Sequence, residues 1–193
     1  MSPAEAAQLR KNAASLEETP LSNFEILEAA CKLLLQGLDL LFLLNDRTYS
    51  RVVDMPFSTS IGNHYRRVLQ HFQCLIRGFP AGELDYDARE KNARLEREVT
   101  YASVVTCDIL RALNRLPADT LSCECKVVCR SGYTYPVASH DSNLSRELAY
   151  CTGEAVHHYS VIRLLCDTMN IQVPSEFGFA PSTLKHIATL ATQ

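Results

Sequence analysis

The residues able to do chemistry lie in two stretches, each an apolar helical stripe interrupted by imidazole or carboxylate. In the first, Glu147, Cys151, Glu154 and His158 follow one another at steps of four, three and four residues. At about 100° per residue they fall within a strip roughly 60° wide. The strip beside them, Leu148, Ala155, Ile162 and Cys166, is apolar. In the second stretch Ile61, His64, Val68, His71 and Leu75 share one face, so two histidines break an otherwise apolar seam. Buried carboxylates and imidazoles are costly unless they are paired or coordinate a cation. Two such seams facing each other across a helical bundle meet that requirement, because bundles build metal sites from inward-pointing side chains.

Glu154 and His158 are four residues apart, which sets their β-carbons about 5–6 Å from each other, close enough to share one ion. Helical zinc pairs use the same spacing. His64, from the facing helix, is the third expected ligand. Three protein ligands with an exchangeable fourth position form the catalytic arrangement, whereas structural zinc is closed by four. Glu147 and His71 are then the candidate proton acceptors. Two other roles stay open for them: Glu147 as the ion-pair partner of Arg146, and His71, placed toward the end of its helix, as a structural group. Cys151 reads as a packed thiol, with a fourth ligand as the alternative. His157, about 100° round the helix from His158, faces a neighbouring helix or solvent. Cys123, Cys125 and Cys129 share one side of a predicted strand, but no companion CxxC or histidine pair completes a zinc set. His140 and His186 join no constellation.

These residues need helices to position them. Residues 1 to 20 read as a flexible leader ahead of a helical domain over 21 to 193. Ser22 and Glu25 have capping-box spacing and open a first helix to about Asn45, with RTYSRVVDMPF as an extended connection after it. Ser58, Thr59 and Ser60 offer caps for a second helix, stopped by Gly78 and Pro80. The charged run GELDYDAREKNARLERE is expected on the outside, and a third helix spans 99 to 116, ended by Pro117. CECKVVCR and YTYPVAS are β-prone, with Ser131-Gly132 as their turn. Ser142 then caps a long fourth helix to about Asn170, and a short helix from Ser182 closes the chain. The expected fold class is all-α, a four-helix bundle with a small β-hairpin inserted before the last long helix.

A formal charge of −3 gives no basic field for nucleic acid or an anionic membrane. The apolar run from Ile26 to Leu44 is broken by Glu28, Lys32, Gln36 and Asp39 about one turn apart, which marks an amphipathic helix and not a membrane span. No secretory layout opens the sequence, so a cytoplasmic setting is expected, with the eight cysteines reduced.

Four segments in order, SIGNHYRRVLQHF (60 to 72), DYDAREKNARLE (85 to 96), SRELAYCTGEAVHHYSVI (145 to 162) and FGFAPSTL (177 to 184), resemble the DinB-like proteins of the DinB/YfiT superfamily. The resemblance implies an up-down-down-up four-helix bundle, often dimeric. It further implies a divalent metal, commonly zinc or nickel, on three histidines: one on the second helix and an HxxxH pair on the last. Those positions fall on His64, Glu154 and His158, so a carboxylate stands where the pattern has a histidine. Glu154 either completes a two-histidine, one-carboxylate set, which admits iron or manganese, or has lost the metal and pairs with His158. Some relatives of this kind activate a low-molecular-weight thiol or a water for attack on a small-molecule electrophile; others hold a metal or ligand without turnover. Both functions are carried forward.

Overall fold

The computed structural model describes residues 23–54, 58–88, 92–129, 138–180 and 183. Among them are six helices and a small three-stranded sheet. The first helix, α1 (Asn23–Phe42), buries Ala30, Leu33, Leu34, Leu40 and Leu41. It stops three residues short of Asn45, because Asn45 adopts an extended backbone and its side chain accepts from Thr48 N, which starts a second, four-residue helix, α2 (Asp46–Tyr49). The expected extended connection is therefore partly helical. The expected capping residue Ser22 and the terminal helix from Ser182 lie outside the described residues, as does the Ser131-Gly132 turn.

Ser60 caps α3 (Ile61–Gly78) by accepting from Asn63 N, satisfying one of the free amides of the first turn. The charged run after α3 does not simply coat the outside. It holds β1 (Glu83–Asp85) and α4 (Arg94–Arg97), and its Leu84, Tyr86 and Leu95 are buried anchors. Next, α5 (Val99–Asn114) turns Ala102, Val105, Ile109 and Leu113 inward. The strand β2 (Glu124–Cys129) pairs antiparallel with β3 (Ala138–Asn143), Val127 opposite His140, and parallel with β1, Leu84 opposite Val127. The β2–β3 pairing is the expected one, but the second strand lies at 138–143 and a third strand joins it. The polar sequence of β3 carries almost no strand propensity of its own; pairing with β2, which buries Cys125 and Val127, selects it.

The long helix α6 (Leu144–Thr168) is capped by Asn143, which accepts from Arg146 N, and not by Ser142. Ser142 instead lies opposite Cys125 in the sheet and donates to Glu147. Each long helix packs on two others: α3 on α6 and α5, α1 on α6 and α5. The largest buried side chains, Tyr49, Tyr65, Tyr159 and Phe72, lie in the common core. No helix among the described residues is long and apolar enough to cross a membrane.

Candidate metal centre

The two interrupted seams meet where α3 packs on α6. His71, Glu154 and His158 each offer a ligand atom, and these three atoms lie within 4.8 Å of one another. Both histidines are buried, and Glu154 keeps about a third of its side chain exposed. The cluster is thus buried on its histidine side and partly exposed at its carboxylate. The His64 ring also touches it: its Nδ1 lies 3.1 Å from His158 Nδ1.

The proton positions follow from the partners. His71 Nδ1 is 2.8 Å from the Arg67 carbonyl oxygen. A carbonyl carries no proton, so Nδ1–H donates, and it is Nε2 that carries the lone pair whenever the ring is neutral. That Nε2 is 3.9 Å from Glu154 Oε2. A lone pair and a carboxylate oxygen thus face each other across a gap of the width a shared cation fills, with metal–donor bonds of about 2.0–2.2 Å on each side. A ring nitrogen fixed by a backbone carbonyl so that its other nitrogen faces an ion is the usual support of a metal-bound histidine. The donor set, two imidazoles and one carboxylate, fits a divalent cation.

Electrostatics keep these rings ready to donate. Burial pushes the His158 pKa down to about 3, helped by the neighbouring His64, His157, Arg67 and His71. Burial likewise lowers His64 to about 4, with Arg67 and His157 adding to the effect. Both rings are therefore neutral at physiological pH, the form in which imidazole binds metal. Tyrosine rings line the cluster: Tyr86 and Tyr150 stand 5.7 and 5.9 Å from His71, centroid to centroid.

The structure therefore brings His71, read from sequence as a proton acceptor or structural group, together with Glu154 and His158, and sets His64 against His158 alone. His71 is not near its helix end; seven residues of α3 follow it. Glu147 stays apart. It lies seven residues before Glu154 on α6, about 10 Å along the axis at 1.5 Å per residue. Its carboxylate is fully buried and accepts from Ser142 Oγ and from Arg146 Nη1, each at 2.5 Å, so the ion pair with Arg146 is present. Its Oε2 has no hydrogen-bond partner among the described residues. Cys151 is buried with its Sγ 3.6 Å from Tyr86 Oη, and burial pushes its thiol up to about 12, so it is no thiolate. His157 is exposed. Cys125 is buried and Cys123 exposed, and neither belongs to the His71 cluster.

The sequence segments around the cluster are scaffolding for it. Gly62 packs so tightly that a β-carbon there would stand 2.1 Å from the Glu96 carbonyl oxygen. Arg66 Nε reaches Glu96 Oε1 at 2.5 Å, and Tyr49 Oη donates to Leu95 O at 2.7 Å. These contacts fasten α4 onto the start of α3 and onto α2. Beyond α6 the chain folds back: Phe177 stacks on Tyr159 with centroids 4.9 Å apart, and Arg163 Nη1 donates to the Ser175 and Phe177 carbonyls at 2.8 Å. Gly178, at φ 78°, permits that return.

No protein-family profile matches the chain. A curated fungal protein, FK506-binding protein 5 of Rhizopus delemar, is 28% identical over 164 residues, covering 83% of this chain and 38% of its own length. The chain thus spans about two fifths of that relative. Among solved structures, the DinB-like protein YjoA of Bacillus subtilis superposes with a TM-score of 0.57 over 78% of this chain and 96% of its own, at 15% identity. Likeness at that identity is likeness of fold: the chain has the fold of the DinB-like proteins.

Proposed function

We propose that this chain holds one divalent metal ion between α3 and α6 through His71, Glu154 and His158, and uses it to act on a small molecule. The observation that carries the proposal is the pairing of His71 Nε2, its lone pair fixed by the Arg67 carbonyl, with the Glu154 carboxylate 3.9 Å away. A bound divalent ion with an exchangeable position lowers the pKa of a water or thiol and so supplies a nucleophile at neutral pH. The chain's own part is to orient the two rings, to keep His158 neutral by burial, and to leave the Glu154 side chain partly exposed. The reaction class that fits is transfer of a low-molecular-weight thiol, or hydrolysis. Zinc or nickel suits two imidazoles; the carboxylate also admits iron or manganese.

A second reading rests on His64. Its ring touches His158, and if it adds a fourth donor the site closes and holds metal without turnover. Both readings take with them the up-down-down-up bundle order and the homodimer that the DinB-like resemblance implies, and a cytoplasmic setting. Neither draws on the FK506 binding for which the fungal relative is named.

Elemental analysis of purified protein tests the proposal. Wild type should carry close to one ion per chain, and His158→Ala and His71→Ala much less. Equally negligible contents in all three end it.

A further inference from the structure

None of His71, Glu154 and His158 lines the two cavities that open between α3 and α5. We propose that this seam is a second binding site, for a linear, medium-chain carboxylate, with the head on Arg77, Gln73 and Tyr101 and the chain along α5. The proposal is independent of the metal reading.

The two cavities measure about 430 and 290 Å³, the scale of small-molecule sites. Gln73, Arg77 and Tyr101 line both, so the cavities adjoin at those side chains. Beyond that junction the first is polar, with Gln70, Asp85 and Asn92 in its wall. The second is mostly aliphatic, walled by Ile76 of α3 and by Val104, Val105, Ile109 and Ala112 of α5. These α5 residues form one helical stripe, which reaches from Tyr101 to Ala112 over about 16 Å at 1.5 Å per residue. Val104 is 52% exposed there, and covering it with a hydrocarbon chain would withdraw apolar surface from water. A seam of branched aliphatics this long fits an extended chain.

Charge selects the head. The side chains of Arg77 and Gln73 make no hydrogen bond or ion pair among the described residues. The carboxylates of the walls are already engaged. Asp85 Oδ1 accepts from Asp87 N and Ala88 N, each at 3.0 Å, and Asp108 pairs with Arg111. Arg94, whose guanidinium lies 4.1 Å over the Tyr101 ring, pairs with Glu98. Tyr101 Oη accepts from Asn92 Nδ2 at 3.3 Å, which leaves the hydroxyl proton to donate. An uncommitted guanidinium, an amide and a phenol proton therefore line the point where polar and apolar cavities meet. A carboxylate suits a guanidinium fork, and one such cation balances a monoanion.

Decanoate is the probe. Titration calorimetry should show one decanoate per chain, and backbone amide resonances of 73–78 and 101–112 should shift with it. Arg77→Gln should weaken binding about 10–100-fold, as loss of a charge-assisted hydrogen bond does. Val104→Asp, an exposed position where folding tolerates the change, should weaken it about tenfold by setting a charge under the chain. Decanol, which has the chain without the charge, should bind as weakly to wild type as decanoate does to Arg77→Gln. Glu154→Ala should bind decanoate like wild type. Absence of heat and of shifts with decanoate, or equal affinity in Arg77→Gln or for decanol, overturns the proposal. Loss of binding in Glu154→Ala would put the carboxylate at the candidate metal centre and overturn it as well.

Discussion

His71 Nε2 and Glu154 Oε2 face each other at 3.9 Å across the packed interface of α3 and α6. An ion bound between that imidazole nitrogen and the carboxylate only in the folded chain should stabilise the native state over the unfolded one. Binding only to the folded chain adds about 2.7 kcal/mol at a free metal concentration a hundred times Kd. For a chain of this size that raises Tm by roughly 5–11 °C. Thermal melts with zinc should show the rise, a chelator should reverse it, and Glu154→Ala should abolish it. A Tm indifferent to zinc and chelator in wild type would contradict the prediction.

Glu147 sits on the same face of α6 as Glu154, but two turns earlier and engaged with Ser142 and Arg146. Its distance from the cluster leads us to expect metal content in Glu147→Gln equal to wild type. Stability should respond instead: Glu147→Ala removes charge-assisted hydrogen bonds worth about 1.5–3 kcal/mol, while Glu147→Gln keeps an acceptor and loses less. Urea denaturation and elemental analysis on the same preparations separate the two effects. Metal loss in Glu147→Gln at unchanged stability would place the carboxylate in the site after all.

The faces of the helices were legible in the sequence, whereas their heights against each other were not. Periodicity puts His64 and His71 on one side of α3, because 3.6-residue spacing is a local property. The two stand seven residues apart, about 10 Å along the axis, and only the packing of α3 on α6 decides which of them meets Glu154. Ser60 was readable as a cap because its hydroxyl bonds within its own turn. Ser142 and Asn143 are both good caps side by side; the Ser142 hydroxyl is engaged with Glu147, and Asn143 accepts from Arg146 N. The strand β1 and the buried Leu84, Tyr86 and Leu95 were hidden in a charged run, since three apolar residues spaced irregularly give no period to detect.

Gly62 and Gly153 make a matched pair of helical glycines. A methyl group at 62 would meet the backbone of Glu96 at 2.1 Å, where no side chain can swing away. Gly62→Ala should therefore destabilise by about 1–3 kcal/mol or more, in the manner of an overpacked site, and loosen α4 from α3. At 153 a β-carbon would meet nothing within 4 Å, so Gly153→Ala should stabilise α6 by about 0.5–1 kcal/mol. Urea midpoints at unchanged m-value are the readout, and a Gly62→Ala variant as stable as wild type would refute the packing of α4 described above.

High pH should unfold the protein through its buried acids. Burial pushes the Cys166 and Cys151 thiols up to about 12 from 9.0, and raises the Tyr49, Tyr65 and Tyr159 phenols well above 10.0. Each group has a folded pKa above its unfolded one, so the folded chain binds more protons between the two values. The stability these groups contribute is then complete below about pH 9 and is lost as pH rises through the folded values. The urea midpoint should be level from pH 7 to about 8.5 and fall steadily beyond 9. Phenolate absorbance from the three buried tyrosines should appear together with loss of helical circular dichroism, and not near pH 10 as free phenols would. At pH 8.5 iodoacetamide should modify the exposed Cys123 while sparing Cys151 and Cys166. All tyrosines ionising near pH 10 with the helices intact would show that the Tyr49–Tyr65–Tyr159 core is open to water.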